Sequence, residues 1–142
     1  MAKISGKAGY VMYGGNTIAE LTEWAITGVS MAVIKKDPAF ADTVVEKIAD
    51  GVVEPGTISF RGNYDPDDST GQALLSTACQ AGVGIYNLYL YAAAATWWHV
   101  GTGGTIIVTK ADSVTLPRSG MGVIDFAGEV EGAAMEQEGT GA

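Results

Sequence analysis

The chain has 142 residues, 47% of them hydrophobic, enough to bury the core of one domain. Its formal net charge is −8, and its 8 Lys and Arg are scattered, so it lacks the clustered cations that gripping nucleic acid requires. A single cysteine, Cys79, excludes an intrachain disulfide and any multi-cysteine zinc site, and reads as a small buried hydrophobe.

Residues 1–9 carry Lys3 and Lys7 with no apolar run behind them, so they do not read as a secretory signal and are expected to form a retained, glycine-rich arm. Beyond them, 20 Gly and only 4 Pro separate short runs of Val, Ile, Thr, Tyr and Trp, the punctuation of an all-β domain. The run GYVMYGGNTIAELTEWAI predicts a strand, a turn at Gly14-Gly15-Asn16 and a second strand forming a hairpin, which Gly28 to Ile34 continues. Residues 35–55 mix charge with apolar side chains and read as a long loop. Within it, Ala39 to Ala49 predicts a short helix with Phe40, Val44, Val45 and Ile48 on one side. TISFRGNY then alternates, with Ile58, Phe60 and Gly62 on one face and Thr57, Ser59, Arg61 and Asn63 on the other.

In NYDPDDSTGQALLSTA, Asp65, Asp67 and Asp68 suggest an oxygen-ligand calcium loop. Such a loop starting at Asp65 needs Gly sixth and Glu twelfth, and Thr70 and Ser76 stand there instead. The stretch reads better as the start of a helix over about 69–81, with Ser69 and Gln72 as a capping box and Asp67 and Asp68 at the positive end of its dipole. Ala73, Leu74, Leu75, Ala78 and Cys79 form its apolar face, and Gly82 its stop. Further strands are expected at Ile85 to Tyr91, Thr96 to Val100, Thr105 to Ala111 and Val123 to Glu131. Residues 133–142 are expected to be a tail. The most apolar window, Val83 to Val100, contains Asn87 and His99 and falls short of the ~20 residues a spanning helix needs, so no membrane span is expected.

Chemical motifs are missing. His99, beside Trp97 and Trp98, reads as a packed or interface residue rather than a base. GTGGT at 101–105 lacks the Lys-Ser/Thr of a phosphate loop, and GVGIYN lacks the third Gly of a dinucleotide fingerprint. Glu129 with Glu131, and Glu136 with Glu138, recur at every second residue and so share a face of an extended chain; the second pair reads as a solvated edge or tail. No catalytic residue, metal ligand or cofactor is expected, and the chain suits a subunit that assembles rather than an enzyme.

VMYGGNTIAELTEW and EPGTISFRGNYDPDDSTGQALL, followed by TIIVTKADSVTL and GVIDFAGEVEG, resemble in order and spacing the major tail proteins, or tail tube proteins, of long-tailed bacteriophages, from about Gly9 to Gly132. The resemblance implies a mainly β fold, a sandwich or barrel with one flanking helix over residues 10–132, as also in type VI secretion tubes. It implies rings of six copies stacked into a tube that passes DNA without specific binding. The implied partners are further copies of the chain, a tape measure protein and a tail terminator, in a virion tail assembled in the host cytoplasm. The 35–55 segment departs from the family's short Thr- and Gly-rich stretch.

Two alternatives stand beside this one: a carbohydrate- or receptor-binding β-module using Tyr86, Tyr89, Tyr91, Trp97 and Trp98 as a stacking surface, and a capsid decoration protein. For a tube, the alternation of VIDFAGEVE puts Asp125, Glu129 and Glu131 on a lumen face, with Arg61 among them as counter-charge. Phe40, Val44, Val45, Ile48, Val52 and Val53 are too apolar for a solvated loop and are expected to order between stacked rings, and the two termini within a ring.

Overall fold

The structure, a computed structural model, describes residues 6–37, 39–41 and 43–139. After a short 3-10 turn at Gly6–Ala8, β1 (Tyr10–Tyr13) and β2 (Asn16–Thr17) make a hairpin. Gly14 and Gly15, with φ of 60° and 85°, supply the two left-handed positions that a tight hairpin turn needs. The chain then crosses to a second sheet as β3 (Leu21–Thr27), leaves the body as β4 (Ser30–Lys35) and β5 (Lys47–Glu54), and returns as β6 (Thr57–Asn63). Helix α1 (Gln72–Ala81) follows, then β7 (Leu88–Ala93), β8 (Thr96–Val100), β9 (Thr105–Thr115), β10 (Val123–Glu131) and β11 (Met135–Gly139).

These strands form a five-stranded sheet ordered β11-β8-β7-β1-β2, a four-stranded sheet ordered β3-β6-β10-β9, and the separate two-stranded ribbon β4-β5. The fold is thus mainly β with one α-helix among the described residues, as expected. The core lies between the two larger sheets because strand alternation turns Val11, Leu88, Leu90 and Val100 from one toward Ile58, Phe60, Ile106, Ile124, Phe126 and Val130 from the other. Phe60 and Phe126 stack at its centre with centroids 5.0 Å apart. The Trp24 indole N–H crosses from β3 to donate to the Tyr91 carbonyl at 3.0 Å, so the sheets are pinned by a hydrogen bond as well as by apolar burial. Leu75 buries the face of α1, and Ser76 Oγ donates to Asp112 Oδ2 on β9, where Asp112 has a positive φ beside a bulge.

Four expectations change. The opening hairpin is shorter than expected: only Asn16–Thr17 pairs with β1, while Leu21–Thr27 pairs with β6 in the other sheet and Ser30–Lys35 with β5. The helix expected over Ala39 to Ala49 does not form: Ile34 pairs with Ile48 and Lys35 with Lys47, and this ladder of β-branched residues claims the segment as strand. The tail expected at 133–142 is strand over its middle, because Met135 packs against the core and carries β11 onto β8; residues 140–142 lie outside the described residues, as do 1–5 of the expected arm. The helix starts at Gln72, not Ser69, and its first turn is held by another residue. Asp68 Oδ2 accepts the backbone N–H of Gln72 and that of Ala19, each at 3.0 Å. Gln72 is buried, and its side-chain amide bridges the Asp65 N–H and the Ala19 and Asn63 carbonyls, so it joins three segments rather than closing a capping box. Gly82, left-handed at φ 67°, ends the helix and returns its N–H to the Cys79 carbonyl.

Candidate assembly and lumen surfaces

Strict alternation makes the outer face of the four-stranded sheet polar. Along β10, Ile124, Phe126, Gly128 and Val130 are buried while Asp125, Ala127, Glu129 and Glu131 turn outward. β6 does the same, burying Ile58, Phe60 and Gly62 and turning out Thr57, Ser59 and Arg61. Arg61 sits opposite Asp125 in the ladder, with its Nε 3.5 Å from Asp125 Oδ1 and 3.5 Å from Glu23 Oε1 on β3. Arg61 and Glu23 are exposed and Asp125 is partly so, hence each pair adds at most about 1 kcal/mol, and their effect is on the field of the face. Glu131 accepts the Thr105 hydroxyl at 2.9 Å, and Glu129 lies opposite Ile107. Four residues predicted from sequence, Arg61, Asp125, Glu129 and Glu131, thus share one face.

The ribbon is built differently. Every residue of β4 is exposed, and Met31, Val33, Ile34, Ile48, Val52 and Val53 remain open to solvent on a pair of strands that no other strand joins among the described residues. Phe40, Val44 and Val45 in the connecting turn are exposed too. All six apolar residues singled out from sequence therefore belong to this one projection, although they do not share a helix face. Lys36 and Glu46 close its turn end with a backbone hydrogen bond of 2.9 Å and a side-chain pair at 3.6 Å. At its base, Gly56 returns the chain beside β3 at φ 107°, where a Cβ would stand 2.1 Å from the Thr27 carbonyl oxygen.

The aromatic stacking surface is only partly assembled. Tyr10 stacks on Tyr91 and Trp97 meets Tyr91 at a tilt on the outer face of the five-stranded sheet, with centroids 4.4 and 5.6 Å apart, but Trp98 packs on the core and Tyr86 stands apart at 72% exposure. Burial raises the Tyr91 pKa above its ordinary value, assisted by the charges that Tyr10 and Tyr89 acquire on ionising. The aspartates of the rejected calcium loop are engaged with backbone: Asp65 Oδ1 accepts the Asp67 N–H at 3.0 Å, and Asp68 holds the helix start. A group with metal-ligating potential lies elsewhere among the described residues, at His99, Glu136 and Glu138. Sequence reasoning noted the two glutamates on one face and treated His99 separately, because only the β8–β11 register brings them together.

No protein-family model matches the sequence, and no curated protein does. Solved structures do. The chain is similar to a chain of an extracellular contractile injection system, the PVC sheath-tube complex in its extended state, with a TM-score of 0.69 and 13% identity over 97% of this chain and 93% of that one. It is also similar to a chain in the tail of an empty GTA particle refined with C6 symmetry, with a TM-score of 0.68 and 14% identity over 95% and 98% of the two chains. A chain of the anti-feeding prophage cap, which terminates that tube, matches with a TM-score of 0.68 and 11% identity over 99% and 93%. The chain has a tail-tube-type fold. The likeness spans nearly the whole chain. At these identities the likeness is one of fold.

Proposed function

We propose that this chain is the repeating structural subunit of a phage tail tube, with six copies closing a ring and rings stacking around a channel for DNA. The observation that carries this reading is the exposed apolar ribbon on a tube-type fold. A free monomer gains nothing from holding Phe40, Val44, Val45, Ile48, Val52 and Val53 in water, and such a patch marks an interaction surface. In this reading the ribbon contacts the neighbouring ring, and the terminal segments contact neighbours within a ring. The ribbon's contacts order on assembly, which keeps subunits soluble until a first ring is supplied. The face bearing Glu23, Asp125, Glu129 and Glu131, with Arg61 and Lys110 as the cations among them, lines the channel, where an acidic wall repels phosphate and lets DNA slide through without specific binding. A tape measure protein and a tail terminator are the further partners. The chain acts in the virion tail after assembly in the host cytoplasm, as a structural component rather than an enzyme. Negative-stain imaging and light scattering test this. Rings or tubes with six-fold symmetry support it, and a stable monomer at all concentrations contradicts it in favour of a binding module.

A further inference from the structure

β8 and β11 form one edge of the five-stranded sheet, and their register puts His99 directly opposite Glu136. Glu138 lies two residues further along β11, so by strand alternation all three side chains stand on the same outer face. Their ligand atoms lie within 4.8 Å of one another, near enough for small side-chain rotations to close them around one ion at ~2.0–2.2 Å.

The His99 ring is also oriented for such a role. Its Nδ1 lies 2.8 Å from the Val100 carbonyl oxygen and donates its proton there, an arrangement that fixes the tautomer in metal-ligating histidines. Nε2 then faces Glu138 Oε1 at 3.1 Å. Nε2 and the Glu138 carboxylate oxygen are both electron-pair donors, so what joins them is either a proton on the ring, as in an imidazolium–carboxylate pair, or a metal ion in its place. Glycine at 101 keeps the space beside them open, since a Cβ there would stand 2.9 Å from Glu136 Oε1.

We propose that His99 Nε2 and the carboxylates of Glu136 and Glu138 bind one divalent ion of the zinc type, clasping β11 to β8. One imidazole and two carboxylates suit a borderline ion better than the all-oxygen sets of calcium or magnesium, and the two carboxylates balance its charge. Both glutamates are exposed, so the remaining coordination position is open to water. The clasp secures a strand of only five residues that has a partner on one side alone. It stands on the β8–β11 geometry and is independent of the tube reading.

The test uses tag-free, chelator-stripped full-length protein, titrated calorimetrically with zinc and spectroscopically with cobalt(II). One ion per chain is expected, with cobalt bands of a low-coordinate nitrogen and oxygen site and slower amide exchange across Met135–Gly139 on zinc addition. His99→Ala and the shape-conserving Glu138→Gln should each weaken binding by about tenfold or more, since even an outer-shell loss costs a metal site that much. Glu129→Gln, on the other sheet, should bind as wild type. Absence of binding at millimolar zinc, or binding unchanged by both Glu138→Gln and His99→Ala, overturns the proposal. Circular dichroism of each variant confirms that lost binding is not lost folding.

Discussion

β5 and β6 are neighbours in sequence, each carries an isoleucine as its second residue, and they are opposite in fate. Ile58 on β6 is 2% exposed and lies between the two larger sheets, whereas Ile48 and Val52 on β5 are 64% and 66% exposed. Side-chain chemistry therefore does not separate them. The separation comes at Pro55-Gly56, where the chain turns from a ribbon with one partner strand to a sheet in which β6 has two. Backbone pairing and one exposed ion pair hold the ribbon, while pairing and burial together hold the sandwich. A two-stranded ribbon is marginal in water by itself, so the ribbon's stability is expected to come from what it meets.

If that contrast is right, damage to the sandwich should unfold the subunit and damage to the ribbon should not. The largest effect is expected from Phe126→Ala, which removes a ring stacked on Phe60 at 2% exposure and should cost about 3–5 kcal/mol in denaturant titration. Next comes the corner where the helix meets the first hairpin. Asp68→Ala leaves the Gln72 and Ala19 N–H groups without their acceptor and should cost about 1–3 kcal/mol. Ser69→Ala, by contrast, should change stability by less than about 0.5 kcal/mol, because its hydroxyl is not the cap. A Phe40→Asp, Val45→Asp double change should also stay within about 0.5 kcal/mol in the isolated subunit while abolishing polymerisation, seen by sedimentation. Normal tubes from that double variant would erase the functional half of the contrast.

The smallest effect is alkaline. Because the folded-state pKa of Tyr91 is raised, its neutral form is favoured by folding; that stability is complete below pH ~10 and is lost as pH rises through the folded value. Tyr91→Phe should flatten the decline of melting temperature in that range.

What could be read from sequence follows the same division. β6 and β10 were legible because their alternation is enforced by burial on one face, and the period of two survives in the letters Ile58, Phe60, Ile124, Phe126 and Val130. The polar face with Arg61 and the three carboxylates came with it, since fixing one face fixes the other. The ribbon lacks a buried face, so its apolar residues follow neither period cleanly. Phe40, Val44, Val45 and Ile48 matched helical spacing that the pairing of Ile34 with Ile48 overrules. Asp68 was missed as the helix cap because half of its role is toward Ala19, 49 residues away in sequence. The convergence of His99 with Glu136 and Glu138 needs a strand register that no local pattern encodes. Likewise β11 read as a tail because MEQEG carries one apolar residue, and that residue acts only through a core contact.

The most direct test of the central claim is amide hydrogen exchange across Lys47–Glu54 and Thr57–Asn63, measured on free subunits and on assembled tubes. The account predicts that β6 is slow in both states, while β5 is fast in the monomer and slow in the tube. Equal protection of β5 in the two states would contradict it, because the ribbon would then not be the part of the subunit that assembly completes.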